Sequence, residues 1–224
     1  MPLYVVATPI GHPKDITVRA LEVLQKCEVI IGEEERELSK FIKMNRLDPN
    51  ETHLLNEHTN QKDIVALASL CRDQSVALIS DCGTPGFCDP GAELVNLARK
   101  ENIPVTSLPG PSSLATALSL SGMRLDSFLF VGFLPQKTEE RQKALIQVAK
   151  EPKAQILMDT PYRLEKLATE LSVLMPNRYA FLGLDLTQST EKALFGKLSE
   201  LVIKVKDQKA EFVLILSPLT QKYT

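Results

Sequence analysis

Short apolar runs alternate with amphipathic stretches of helical length along the whole 224-residue chain. That alternation is the strongest constraint on what it can fold into. Residues 3–7, 28–31, 75–80 and 105–108 read as strands, and 54–55 as a short extended piece. Residues 15–26, 34–43, 61–72, 92–100 and 112–121 read as helices. The first helix lines up Ile16, Ala20, Val23 and Leu24, and the third lines up Ile64, Leu67, Ala68 and Cys71. A second series follows, with strands at 128–132, 155–159, 179–186 and 211–217 and helices at 139–149, 161–174 and 197–205. This order predicts α/β layers with mostly parallel sheets. Gly122 ends an Ala/Leu-rich helix before a polar segment, which predicts two α/β domains, 1–122 and 123–224.

Glycine and proline cluster where predicted strands end. Residues 8–13 (T-P-I-G-H-P) follow the first strand, 80–91 (S-D-C-G-T-P-G-F-C-D-P-G) the third, and 109–113 (P-G-P-S-S) the fourth. Open α/β sheets bind ligands outside the carboxyl ends of their strands. Glycine permits close backbone approach and positive φ, and proline stiffens the loop. Each loop alone is as well explained as a simple connection; together they point to one shared cleft. No G-x-G-x-x-G and no G-x-x-x-x-G-K-[ST] is present, so dinucleotide and P-loop readings lose their main support. Ser112 and Ser113 stand at a helix start, where they can cap it or face a polar ligand. Phe87 and Met158 suit apolar contact with an adenosine, although by periodicity Met158 on its own reads as core.

Composition removes other classes. The 26 Lys and Arg against 28 Asp and Glu leave a net charge of −2, so no global basic field draws the chain to nucleic acid or anionic lipid. Cys27, Cys71, Cys82 and Cys88 form no C-x-x-C pair, and the three histidines complete no zinc spacing, so no metal is expected. Cys27 and Cys71 fall in apolar-periodic segments and read as buried hydrophobes. The N-terminus lacks the pattern of a signal peptide, and no apolar run reaches membrane-spanning length. The expected location is a reducing cytoplasm. No serine sits in a G-x-S-x-G elbow. The run Glu33-Glu34-Glu35 suits the positive end of a helix, a role expected for at least two of the three. Asp81 and Asp89 are turn formers, or acceptors or a base in a cleft.

These segments carry a family likeness. V-A-T-P-I-G-H-P-K-D-I-T-V-R-A-L-E-V-L resembles the opening of bacterial small-subunit rRNA (cytidine 2′-O-ribose) methyltransferases, within the tetrapyrrole methylase superfamily. S-D-C-G-T-P-G-F-C-D-P-G resembles their S-D-A-G-T-P-G-I-S-D-P-G loop. L-P-G-P-S-S, F-V-G-F-L-P-Q-K and T-P-Y-R-L match further landmarks in order, from Leu3 to about Leu216. The resemblance implies two α/β domains with S-adenosylmethionine in the cleft between them, and a homodimer. It implies cofactor contacts at Ile10, Cys82, Gly83, Thr84, Phe87, Ser112, Ser113, Met158 and Leu186. Within the matching motifs, Glu33, Asp81 and Lys137 are the candidate catalytic residues.

The departures bear on the methyl acceptor. The rRNA enzymes read A-E-D-T-R at Gly32–Arg36, E-S-P-H-R at Asp159–Arg163, and R-E-L-T-K at Leu184–Gln188, where this chain has lost two cations. A C-terminal helical extension common in those enzymes is expected to be lacking. The resemblance implies a methyltransferase acting on rRNA or the small ribosomal subunit; Lys137, Arg141 and Lys143 then read as its basic contact surface, or equally as an ordinary exposed helix face. A methyltransferase for a tetrapyrrole or other small molecule is the alternative, and a non-catalytic cofactor-binding module the third reading.

Overall fold

The computed structural model describes residues 1–88 and 90–220. The chain divides into two compact units, Met1–Ser112 and Ser113–Thr224. The first contains β1 (Leu3–Val6), α1 (Val18–Leu24), β2 (Val29–Gly32), α2 (Glu35–Asn45), β3 (Glu51–Leu54), α3 (Gln61–Asp73), β4 (Val76–Ile79), α4 (Ala92–Lys100) and β5 (Val105–Leu108). Its strands lie in the order β3-β2-β4-β1-β5, and every neighbouring pair is parallel.

Period-two alternation between two covered faces explains why the inner strands β1, β2 and β4 are apolar throughout, while the edge strands β3 and β5 carry polar residues. Leu3, Val29, Ile31, Val76 and Leu78 face α3 and α4, where they meet Ile64, Leu67, Cys71, Leu94 and Ala98. Val6, Ile30, Ala77, Ile79 and Leu108 face the other way, toward Ala20, Leu24 and Leu38 of α1 and α2. Both faces are covered, as parallel sheets require. Helix starts follow capping chemistry. The Thr17 hydroxyl accepts from the Ala20 N–H, and the Asn60 side chain from the Lys62 and Asp63 N–H groups; these satisfy otherwise orphaned donors. The predicted helix 15–26 is therefore two pieces, a 3-10 turn at Pro13–Asp15 and α1, because Thr17 is extended (ψ 148°).

The second unit contains α5 (Ser113–Leu120), β6 (Phe128–Gly132), α6 (Thr138–Lys150), β7 (Ala154–Asp159), α7 (Leu164–Leu174), β8 (Tyr179–Leu184), β9 (Lys192–Lys197), α8 (Leu198–Lys204) and β10 (Phe212–Leu216). Its order is β6-β7-β10-β8-β9. β6 and β7 are parallel, and the other three pairings are antiparallel. Among the described residues five of eight strand pairings are thus parallel. α6, α7 and α8 cover one face through Leu145, Leu164, Leu167, Leu171, Leu198 and Leu201. α5 packs on β8 and β10, which puts this helix in the second unit, ahead of the glycine break at 122.

Sequence reading missed β9. It is an edge strand with Lys192, Ala193 and Phe195 exposed, and its apolar run of Ala193-Leu194-Phe195 is too short to mark a strand. Among the described residues, no helix is long and apolar enough to cross a membrane, and no cluster of His, Cys, Asp and Glu suits a metal ion.

Cys27 and Cys71 are buried as expected, and burial pushes both thiols up to about 11. Cys82 and Cys88 are exposed. Because the thiolate is the reactive form, iodoacetamide at neutral pH is expected to modify Cys82 and Cys88 while Cys27 and Cys71 stay unmodified until the protein unfolds. Peptide mass mapping checks this; early labelling of Cys27 or Cys71 would contradict it.

Candidate cofactor and active site

β4, β1 and β5 are adjacent and parallel, so the loops leaving their carboxyl ends emerge on one edge of the sheet. Hydrogen bonds then lock these loops together. The Thr8 N–H donates to the Gly83 carbonyl at 2.8 Å, and the Gly83 N–H donates back to Thr8 at 3.1 Å. The buried Thr8 hydroxyl donates to the Ser80 carbonyl at 3.0 Å, and the Ser80 hydroxyl to the Gly83 carbonyl at 3.2 Å. Thr84 reaches the third loop, its hydroxyl 3.5 Å from the Pro111 carbonyl. Gly110 fits against the residue that follows β1: a Cβ there would lie 3.1 Å from the Ala7 Cβ.

These loops suit a cofactor gripped through peptide groups. Gly83 and Gly86 have φ of +83° and +76°, conformations that a side chain disfavours. Ile10 lies beside Gly83, with its Cγ2 3.5 Å from where a Gly83 Cβ would sit. Ile10, Gly83, Thr84 and Ser112 are therefore gathered at one sheet edge. Phe87, exposed, and Cys82 flank them on the same loop. The first unit thus offers backbone, hydroxyl and apolar surface for an adenosine bearing an amino acid.

Gly83→Ala is expected to lower S-adenosylmethionine affinity about 10-fold or more, since alanine at this φ costs roughly 1–2 kcal/mol and reshapes the loop. There is room for the methyl group, so the fold should survive. Calorimetry checks this; wild-type affinity would place the cofactor away from the loop.

A cavity of 690 Å³ opens at the same edge, between the ends of β2, β3 and β4. Glu33, Glu34, Asp81 and the 56–59 loop line it. Asp81 Oδ1 accepts from the Glu34 N–H at 3.3 Å, tying the β4 loop to the β2 loop. Removal from water raises the Asp81 pKa. The Glu34 N–H opposes this shift, and the carboxylates of Glu34 and Glu37 add to it. Glu34 itself is the N-cap of α2, accepting from the Glu37 N–H at 3.0 Å, with Glu35 in the first turn. The capping role expected for part of this acidic run falls to these residues, leaving half-buried Glu33 on the cavity wall. Asp89, weighed beside Asp81 as an acceptor or base, lies outside the described residues.

The remaining candidates belong to the second unit. Ser113 is the first residue of α5. Met158 on β7 and Gly183 on β8 both pair with Val213 of β10, so the three share one face of the sheet. Leu186 folds over Gly183: a Cβ on that glycine would lie 2.9 Å from the Leu186 Cδ2. Met158 and Leu186 therefore flank one surface, the face opposite α6, α7 and α8. Lys137 is the N-cap of α6; its exposed side chain lies 3.6 Å from Glu140.

One expectation is overturned. Arg141 is no part of a basic RNA-contact surface, because its side chain is only 3% exposed. It donates to Glu170 at 2.8 Å and to Asp159 at 3.2 Å. Helical spacing alone put it beside Lys137 and Lys143; packing against β7 turned it inward. Sequence reading also missed residues that shape the site. Thr8 and Ser80 hold the Gly83 loop from beneath. In the 56–59 turn the Asn56 side chain accepts from the His58 N–H and the Thr59 hydroxyl from the Asn56 N–H. An Asn with a Thr three residues later is a turn signal, and it was legible.

The model for tetrapyrrole (corrin/porphyrin) methylases matches residues 2–202. The chain belongs to this family. Among its relatives, ribosomal RNA small subunit methyltransferase I of Escherichia coli O157:H7 is 38% identical over 219 residues, covering 96% of this chain and 77% of the relative. The enzyme of the same name from Hydrogenobaculum sp. (strain Y04AAS1) is 36% identical over 222 residues, covering 97% and 96%. Among solved structures, a diphthine synthase superposes with TM-score 0.74 at 16% identity, covering 99% of this chain and 92% of that one. A uroporphyrin-III C-methyltransferase from Thermus thermophilus complexed with S-adenosyl homocysteine superposes with TM-score 0.65 at 18% identity, covering 97% of each. These two likenesses establish the fold. The methylase is an enzyme that transfers a methyl group from S-adenosylmethionine.

Proposed function

We propose that this methylase acts in the cytoplasm, as a homodimer, on a ribose 2′-hydroxyl of small-subunit rRNA. The observation that carries this reading is the identity of 36–38%, spread over nearly the whole chain, with enzymes named for the small-subunit ribosomal RNA. In this reading Ile10, Cys82, Gly83, Thr84, Phe87, Ser112, Ser113, Met158 and Leu186 hold the cofactor. S-adenosylmethionine supplies a methyl carbon already activated by its sulfonium. Positioning and exclusion of water therefore supply much of the rate. The ribose oxygen forms the new bond to carbon as the carbon–sulfur bond breaks, and its proton must leave.

Asp81 takes that proton. Its raised pKa makes it a better base than an ordinary aspartate. Glu33 orients the hydroxyl from the cavity wall, and Lys137 meets a phosphate. The cavity walls are acidic at Glu33, Glu34, Glu57, Asp81 and Glu93. They repel a phosphodiester, so the RNA backbone runs outside and only the reacting nucleoside enters.

The test is ribose-methylation mapping of rRNA from a strain lacking the gene, with and without complementation. One ribose methyl group should vanish and return. An unchanged map, together with measurable S-adenosylmethionine binding, would turn the assignment to a small-molecule acceptor. Sedimentation at micromolar concentration checks the dimer.

A further inference from the structure

Tyr162 is the most exposed large hydrophobic side chain among the described residues, at 77%, yet its base is rigid. It occupies the middle of a 3-10 turn, Pro161–Arg163, with proline at the first position. The Arg163 N–H donates to the Thr160 carbonyl at 2.9 Å, and its guanidinium reaches Asp159 at 3.5 Å. Asp159 is in turn fixed by Arg141. A ring on a fixed pedestal loses little further freedom when a planar partner stacks on it.

The surroundings are cationic and shaped. Lys209 Nζ lies 4.9 Å from the Tyr162 ring centroid, within cation–π range. The loop carrying Lys209 is pinned to α7, where the Asp207 N–H donates to Glu165 at 3.1 Å. Beside it opens a hollow of 450 Å³ whose charged lining is Lys192, Lys209 and Asp185. Asp185 spends both carboxylate oxygens internally, on the Glu211 N–H at 3.0 Å and the Thr190 hydroxyl at 2.9 Å. The two ammonium groups are what the hollow offers an incoming ligand. An exposed aromatic face next to such cations is the pattern that binds single-stranded nucleic acid, with a base on the ring and the backbone on the charges.

We propose that Tyr162 and the adjoining hollow bind an unpaired strand of the rRNA substrate, with a base stacked on Tyr162 and its phosphate held by Lys192 and Lys209. This rests on the reading of RNA as acceptor.

The chain has no tryptophan, so Tyr162→Trp introduces a single reporter at the contact. Titration with a mixed-sequence single-stranded RNA oligonucleotide should quench its fluorescence to saturation. Tyr162→Ala should weaken oligonucleotide binding on the order of 10-fold. It should also raise KM for small ribosomal subunits purified from the deletion strain, with S-adenosylmethionine affinity unchanged; Tyr162→Phe should restore KM. The Lys192→Ala/Lys209→Ala double variant should flatten the log–log salt dependence by about 0.7, the value of one single-strand phosphate. Unaltered tryptophan fluorescence, or a wild-type KM for Tyr162→Ala while the wild-type enzyme methylates the subunits, would overturn the contact alone. Failure of the wild-type enzyme to methylate those subunits would overturn the RNA reading, and the contact with it.

Discussion

Asp159→Ala is expected to lose about 3–5 kcal/mol of folding stability, the range for stranding a buried charge. The Asp159 side chain is 1% exposed, and it bridges two arginines, Arg141 at 3.2 Å and Arg163 at 3.5 Å. It also accepts from the Thr160 N–H at 2.9 Å. Arg141 already has one buried nitrogen, Nη2, without a protein partner. Removing Asp159 leaves its guanidinium with Glu170, on the partly exposed side of the network, and a long 3.5 Å bond to the Pro135 carbonyl.

For a chain of this size each kcal/mol moves Tm by roughly 2–4 °C, so the second unit should melt on the order of 10 °C lower. Urea unfolding followed by circular dichroism gives the free energy. The paired replacement Arg141→Met/Asp159→Leu should recover most of the loss, because the two fully buried charges are gone and the partners left, Glu170 and Arg163, are partly exposed to water. Lys137→Ala should change stability by less than about 0.5 kcal/mol, since its ion pair with Glu140 is solvated. Near-wild-type stability for Asp159→Ala would mean that water reaches the network.

Asp81→Asn should lower methyl transfer by about 10²–10⁴-fold, the usual contribution of a general base, while making the protein more stable at neutral pH. The sign follows from the raised pKa. The native state binds the Asp81 proton more tightly than the unfolded chain does. The native form is therefore favoured at low pH, and that advantage is lost as pH rises through the carboxylate range. At pH 7 the charged Asp81 is a cost, and asparagine removes it. The stability difference between variant and wild type should close below about pH 4, near the ordinary aspartate pKa. The acid limb of kcat/KM should lie above that value and disappear in the variant. Turnover within twofold of wild type would remove Asp81 from the mechanism and shift attention to Glu33.

Much of the architecture was legible before any coordinates. α4 and β5 occupy the residues read for them in the sequence, and in α4 the buried Leu94 and Ala98 fall four apart on one helical face, so pattern and burial agree there. The loops at 8–13, 80–91 and 109–113 announced themselves through glycine and proline, whose φ restrictions are properties of the residue and need no tertiary context. The motif order carried the family and the cofactor.

What the tertiary structure decided lies in long-range pairing. The Thr8–Gly83 bridge, the Asp81–Glu34 bond and the Arg141–Asp159–Glu170 network join residues 75, 47, 18 and 29 positions apart, and no local periodicity reports on such distances. Arg141 shows the difference most clearly. Its place on α6 is a matter of helical spacing, and spacing puts it with the exposed lysines. Only the approach of β7 and α7 supplies two carboxylates and takes the arginine out of water, turning an apparent surface cation into the centre of a buried network.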